Sequence, residues 1–558
     1  MIRGVAVAGG PERQHLPDRA VRIGEKFDEA ERVGAKRANP TRSGEGGGVQ
    51  QNAGGARKLH GCKITSGTMR LLLPHSARRL LHATLGCSLL VATACTDSRP
   101  APKAVPVTVT VTVTPKLFHA EWSKNAIIYE VNIRQYTPEG TFAAFVKEIP
   151  RLKSLGVDVL WIMPVQPIGK LNRKGLLGSY YSISNYHEFN PEFGNQEDFR
   201  ALVNAAHANG MRVILDWVAN HTAFDHPWIT EHKAYYTLKS DGTISRARDQ
   251  QGNETDWSDV ADLNYDSRDM RASMITEMRW WLDNTHIDGF RCDIAGYVPE
   301  DFWKEVSDAF RPSRPDFFML AEAEDPKLHT WFDATYGWEL HHLLNDIAQG
   351  KKGTDSLTPF FAAQQAAYDN DAYRLNFTSN HDENSWNGSE FERMKENHAP
   401  AYVLSATVKN SMPLLYTGQE ASLQKRLRFF DKDTVNWTGQ SLAPFYSRLF
   451  ELRHTQRALF NGSWGGTQTE ITTNGDRRVY AFARTRDGQS VLIFVNFADT
   501  ATILAFSDYK GKPGPYTDWF SGEEMPLKSF GTLKVPAHGF RILVPTPMRL
   551  KASGPSAE

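Results

Sequence analysis

Val157-Asp158-Val159-Leu160-Trp161-Ile162-Met163-Pro164 is a short apolar run that follows an amphipathic stretch, Phe142–Leu155, closed by Gly156. Another apolar run, Ala126–Ile133, stands before that stretch. Run, helix, run is the order of two parallel strands joined by a crossover helix. The pattern then recurs. Phe199–Asn209 has helical spacing and stops at Gly210, and Arg212–Trp217 is the third strand. Further runs at Phe290–Asp293, Phe317–Glu322, Phe332–Thr335, Phe377–Asn380 and Pro413–Tyr416 bring the number to eight. Eight such units predict an α/β fold, a (β/α)8 or TIM barrel, with its site at the C-terminal ends of the strands. The barrel domain is expected over residues 120–460, closed by a helix over Phe445–Leu459.

Polar residues gather at those strand ends. Asp216, Asn220 and His221 follow strand three, Glu322 ends strand five, and His381 and Asp382 follow strand seven. Strand four reads Gly289-Phe290-Arg291-Cys292-Asp293. Arg291 and Asp293 are two residues apart, so they point the same way in a strand and the cation holds the carboxylate ionised. Taken alone, the pair fits an activated nucleophile or a buried structural ion pair equally well. Four carboxylates, two histidines and an arginine at one mouth are costly to bury together unless they perform chemistry.

Asp-Trp-Val-Ala-Asn-His (216–221), Gly-Phe-Arg-Cys-Asp (289–293), Leu-Ala-Glu (320–322) and Phe-Thr-Ser-Asn-His-Asp (377–382) resemble, in order and spacing, the four signature regions of the α-amylase family, glycoside hydrolase family thirteen. The resemblance covers roughly residues 120–545. It implies Asp293 as the nucleophile that forms a glycosyl ester, Glu322 as general acid/base, and Asp382 as the carboxylate that grips sugar hydroxyls. Arg291, Asp216, His221 and His381 match the residues that orient the nucleophile and bind the sugar, and Tyr181 resembles the family's stacking tyrosine. A retaining glycosidase needs two carboxyls about 5–5.5 Å apart, one ionised and one protonated. Arg291 is expected to lower the pKa of Asp293, and crowding by Asp293 and Asp382 to raise that of Glu322. Glu324 is a rival acid, and Glu322 is preferred because it follows the apolar run directly.

A long insertion, 222–266, separates strand three from its helix, where the family carries its small B domain. Asn220 and Asp262 resemble the family's calcium ligands, and hard oxygen donors suit Ca2+; an ordinary capped loop is the alternative. No organic cofactor is implied. Asn185 stands where the family often has Asp, and Gly296-Tyr297 where many endo-acting α-amylases have Lys-His, so acceptor contacts differ. Trp386 and Trp338 lie near strand ends and either stack on sugar or pack the core.

The 558 residues have 41% hydrophobic content and a mean hydropathy of −0.46, as a soluble globular protein does. Lys+Arg and Asp+Glu are both 64, which gives no electrostatic case for nucleic acid. Fourteen Trp and 18 Tyr suit sugar stacking, although core packing accounts for most of them. The four cysteines, Cys62, Cys87, Cys95 and Cys292, make no disulfide framework. Residues 1–68 read as disordered or as a mis-assigned extension, with translation starting at Met69. Residues 69–95 have a basic start, the apolar run Leu80–Val91 and small residues before Cys95, as in a lipoprotein signal peptide. That pattern implies a bacterial protein that is secreted, periplasmic or anchored to the outer membrane, touching the membrane only through a lipid at Cys95. Residues 96–119 read as a linker. From 461 to 547 alternating strands, with a hairpin turn at Arg486-Asp487-Gly488-Gln489, predict an antiparallel β-sandwich, and 548–558 a tail.

The expected function is retaining hydrolysis of α-1,4-glucosidic bonds in starch, glycogen or maltodextrins. The alternatives are an α-glucosidase, a cyclomaltodextrinase or a 4-α-glucanotransferase acting on maltooligosaccharides. From another class comes a non-catalytic glucan-binding lipoprotein, which predicts loss of Asp293, Glu322 or Asp382; all three are present.

Overall fold

The computed structural model describes residues 119–546, apart from 440, 508, 510–512 and 529. The extension (1–68), the signal segment (69–95) with Cys95, nearly all of the linker and the tail (548–558) lie outside the described residues.

Eight parallel strands close a barrel: β1 (Ile128–Val131), β2 (Val159–Ile162), β3 (Arg212–Trp217), β6 (Gly289–Cys292), β7 (Phe318–Ala321), β8 (Ala334–Tyr336), β9 (Tyr373–Asn376) and β10 (Ser411–Tyr416). Inside the 222–266 insertion and at its edge, β4 (His221–Ala223) and β5 (Val260–Asp262) form an antiparallel pair. Successive side chains alternate between barrel interior and helix layer. Ile128, Trp161, Ile214, Leu320, Tyr336, Leu375 and Leu414 fill the interior, while Tyr129, Leu160, Leu215, Phe290 and Met319 pack outward against the helices. The same parity carries Glu130, Asp216 and Arg291 inward near the C-terminal rim. Asp216 lies beside Arg291, and Glu130 beside both Trp161 and Tyr416. Strands β6 and β7 approach so closely that a Cβ on Gly289 would stand 1.9 Å from the Phe318 carbonyl oxygen.

The structure moves several expected elements. Strand one stops at Val131, and Ile133–Tyr136 is helical. The single helix expected over 142–155 is two short helices, Phe142–Phe145 and Ile149–Leu155, joined by a 3-10 turn at Val146–Glu148; Pro150, with no N–H to donate, opens the second. Strand seven is Tyr373–Asn376, four residues before the expected Phe377–Asn380. Its Tyr373 and Leu375 face inward, while Arg374 pairs with Glu324 and interrupts the apolar run that would have marked it.

After the helix Ala443–Thr455 the chain forms antiparallel sheets. Strands β11 (Thr467–Glu470), β13 (Val479–Arg486), β14 (Gln489–Asn496), β16 (Gly514–Asp518), β17 (Glu524–Leu527) and β19 (Gly539–Pro545) make one of six. Strands β12 (Thr472–Thr473), β15 (Thr502–Ser507) and β18 (Phe530–Val535) make one of three. Asp487 and Gly488, both at positive φ, turn β13 into β14, as a two-residue hairpin requires. Arg484 docks this region on the barrel by donating to the Thr407 carbonyl at the end of helix His398–Thr407.

Candidate active site

Arg291 is the centre of the site. Its side chain is fully buried inside the barrel and boxed by the rings of Trp161, Tyr181 and Tyr336, 4.9–5.8 Å from the guanidinium carbon. A buried cation needs partners, and this one has three carboxylates. Nη1 donates to Asp216 Oδ1 at 2.8 Å and to Asp293 Oδ1 at 3.0 Å. Nη2 lies 2.8 Å from Glu322 Oε2, an ion-pair contact, and Nε donates to the Tyr336 hydroxyl. Asp293 and Glu322 leave adjacent strands at the same level, and each backbone N–H continues the ladder, Asp293 to the Trp217 carbonyl and Glu322 to the Cys292 carbonyl. Ile294, held at a φ of +35°, turns its N–H onto Glu322 Oε2 at 2.8 Å.

The electrostatics differ from the sequence expectation at Asp293. Arg291 does favour its ionised form, but burial and the charge of Glu322 outweigh that, and the carboxyl stands well above the ordinary range. Glu322 is also raised, by burial first and then by Asp382, against the opposing pull of Arg291. One guanidinium shared among three carboxylates cannot hold them all ionised at full strength, so Asp293 and Glu322 titrate as a pair.

The remaining expected residues line the same mouth. Asp216 Oδ2 accepts from Trp161 Nε1 at 3.1 Å and from the Tyr181 hydroxyl at 3.0 Å. Tyr181 stacks on His381, ring centres 5.4 Å apart, and its hydroxyl lies 2.8 Å from His381 Nε2. Asp382 stands at the rim, 3.5 Å from His381 Nε2, and accepts from Trp386 Nε1 at 3.1 Å. Trp386 is 41% exposed and leans on Phe429 and Phe430, so its ring is open to a ligand. Trp338 instead packs against Tyr336 and Phe377. His221 is buried beside Trp257, and burial pulls its ring down to about 4, so it stays neutral at ordinary pH. Glu324, the rival acid, turns away: it pairs with Arg374 and caps the N–H of Glu339.

Asn220 and Asp262 come close through the β4–β5 pair, in which His221 lies opposite Asp262. Asp262 Oδ1 is taken by the N–H of Arg248, and the Asn220 amide by His221 Nδ1. Among the described residues no three His, Cys, Asp or Glu side chains gather as a metal site. Asn220 and Asp262 bring three side-chain oxygens, one already engaged, so backbone carbonyls and water would have to supply the rest of the six to eight that calcium takes.

Sequence reasoning missed Glu130, Trp161 and Tyr336, the interior residues that hold His381, Asp216 and Arg291. The signal was available in the parity of each barrel strand.

Comparisons with known proteins point to one family. The family model of the α-amylase catalytic domain matches residues 112–447, and that of the maltogenic amylase C-terminal domain matches 469–542. The alpha-amylase MalA of Haloarcula japonica is 27% identical over 420 residues, 72% of this chain; the alignment spans 59% of that curated relative's length. The crystal structure of the noncanonic maltogenic alpha-amylase AmyB from Thermotoga neapolitana is 27% identical, with a TM-score of 0.68 over 75% of this chain and 98% of the other. An alpha-amylase structure from Lactobacillus plantarum gives the same identity and TM-score over 76% and 99%.

Proposed function

The chain belongs to the α-amylase family, and on that premise we propose that it is a retaining glycoside hydrolase that cleaves α-1,4-glucosidic bonds of starch, glycogen or maltodextrins. The observation that carries the reading is the single buried Arg291 joining Asp216, Asp293 and Glu322 beneath the rim carboxylate Asp382.

In the first half-reaction an Asp293 oxygen attacks the anomeric carbon. The bond from that carbon to the glycosidic oxygen breaks, its electron pair stays on the oxygen, and the proton of Glu322 moves there, releasing the leaving sugar. In the second half a water attacks the same carbon, Glu322 accepts its proton, and the ester bond to Asp293 breaks. Two inversions retain the configuration. Arg291 aligns Asp293, and His381, Asp382 and Tyr181 meet the sugar held at the cleaved bond.

Chromatography of products from amylose, maltoheptaose and cyclodextrin tests the proposal. A spread of oligosaccharides from amylose supports endo cleavage, and glucose or maltose alone supports trimming. Chains longer than those supplied mean transfer, and no turnover overturns the hydrolase reading. We further propose export with a lipid on Cys95, supported by the pattern of residues 69–95. Loss of fatty-acid labelling in Cys95→Ser would support it, and an unlabelled wild type would refute it.

A further inference from the structure

Glu130 belongs to none of the strand-end motifs, yet it reaches the site from β1. It is fully buried, and its parity on the strand turns it into the barrel beside Trp161. Oε1 is hydrogen-bonded to His381 Nδ1, and Oε2 has no protein partner. A carboxyl buried this deeply requires a counter-charge or a proton, and His381 is the group it touches.

Hydrogen-bond direction then fixes the ring. Asp216 accepts from Arg291, Trp161 and Tyr181. The one hydroxyl proton of Tyr181 is therefore spent on Asp216, and the Tyr181 oxygen accepts from His381 Nε2, 2.8 Å away. So Nε2 carries a hydrogen; burial raises Glu130 against the pull of His381, so the proton between them is shared over the Oε1–Nδ1 contact, and the ring is doubly protonated when that proton lies on Nδ1. The groups around the ring agree. Asp382 adjoins it on its own segment, Asp216 stands behind Tyr181, Arg291 and Glu322 face it from β6 and the end of β7, and Trp161 and Phe429 flank it. Burial pulls the ring down, but Asp382 and Glu130 outweigh burial and Arg291 together and carry it up to about 9.

We propose that Glu130 is a positioning residue for the reaction, holding His381 as an imidazolium whose Nε2–H is donated to Tyr181 and whose charge faces Asp382 at the sugar-binding rim. The relay runs Glu130, His381, Tyr181, Asp216, Arg291 and ends on Asp293 and Glu322. It therefore ties the orientation of the sugar-binding histidine to that of the reacting carboxylates. Its role in turnover rests on the glycosidase reading above; the protonation of His381 does not.

The test uses the full chain labelled with 15N-histidine. In the wild type at neutral pH both His381 ring nitrogens are expected in the protonated range, losing a proton only at alkaline pH. In Glu130→Gln, which keeps the shape and removes the charge, one nitrogen becomes unprotonated at neutral pH. For that variant kcat/KM on maltoheptaose falls about 10- to 100-fold, the worth of one hydrogen bond to a charged group, and the alkaline limb of its pH profile moves to lower pH. A neutral His381 ring in the wild type at pH 7, or a Glu130→Gln profile that superimposes on the wild type, overturns the proposal. If the variant does not fold, the wild-type titration decides alone. If the wild type hydrolyses no α-glucan, the glycosidase reading falls while the His381 titration still stands or fails by itself.

Discussion

Arg291→Lys is a severe test of the site because the substitution keeps the charge and removes the fork. Arg291 serves Asp216 and Asp293 through Nη1, meets Glu322 through Nη2 and donates to Tyr336 through Nε. A lysine offers one compact ammonium in place of that plane, and at best it keeps one carboxylate well bonded. Two charge-assisted contacts are then lost, at about 1.5–3 kcal/mol each, so about 3–6 kcal/mol is at stake. The fold need not lose all of it, since buried carboxylates left without a cation take up protons instead. The chemistry has no such escape, because Asp293 must be ionised to attack. Arg291 opposes the burial and the Glu322 charge that hold Asp293 high. Weakening it raises Asp293 further, so the acid limb of activity moves to higher pH. At 1.36 kcal/mol per decade, the loss corresponds to a kcat/KM about 10²- to 10⁴-fold lower. The assay is kcat/KM on maltoheptaose across both pH limbs, with a thermal melt as control. A variant within about tenfold of wild type, with its acid limb unmoved, would refute the central place given to this guanidinium.

Other substitutions separate the remaining roles. Glu322→Gln should lose about 10²–10⁴-fold on maltooligosaccharides but far less on aryl glycosides whose leaving group needs no proton, whereas Asp293→Asn should lose both; equal losses for Glu322→Gln would remove it as the acid. Trp386→Ala removes the exposed ring and the N–H that meets Asp382, and KM should rise about fivefold to tenfold, roughly 1 kcal/mol, with kcat less affected; an unchanged KM would mean the ring does not meet sugar. Glu383 is buried, which works against its ionised form, but His341 and Arg393 outweigh that and hold its carboxyl down to about 2. Its folded value lies below the unfolded one. It therefore contributes stability that is present above pH 4.5 and lost as pH falls toward 2, with Arg393 as the standing cation because burial keeps the His341 ring low. Glu383→Gln should accordingly lower Tm at neutral pH, with the gap closing through that window; a gap independent of pH would break the assignment.

The barrel was legible because apolar runs and glycine-stopped helices alternate from Ala126 onward, and Asp293 and Glu322 because each stands where such a run ends. What stayed hidden has a common cause. Tyr373–Asn376 is a strand whose Arg374 is paired from the side by Glu324, so hydropathy fades where the backbone stays regular. Glu130 sits in the middle of an apolar strand and looks like an interruption until parity places it inside the barrel with Trp161 and Arg291. The sign of the shift at Asp293 was missed for a different reason. Sequence shows that Arg291 is near, but not that two other carboxylates share it or that the group is closed from water. A neighbour can be read from spacing; the competition among neighbours needs three dimensions.

That competition also accounts for how one pair of carboxyls can act in two ways within a single turnover. Two carboxylates about 5 Å apart at an effective dielectric of about 20 repel by about 3 kcal/mol. Burial raises both Asp293 and Glu322, so the pair is under pressure to hold a proton. Asp293 accepts a hydrogen bond from Arg291, while the Glu322 contact with the same guanidinium is less well directed and its Oε1 is left for the proton. The form of the pair we propose as reactive has its proton on Glu322 and Asp293 ionised against Arg291, although burial pushes Asp293 up more strongly. Once Asp293 is an ester its charge is gone and the repulsion with it. Glu322, which has just given up its proton, no longer has that reason to recover one from solvent. It stays a carboxylate long enough to take the proton of the attacking water. When the ester breaks, the charge on Asp293 returns, and the repulsion again favours the proton now on Glu322. The switch from acid to base needs no moving part: it follows from two buried carboxyls sharing a cation that is too small for both.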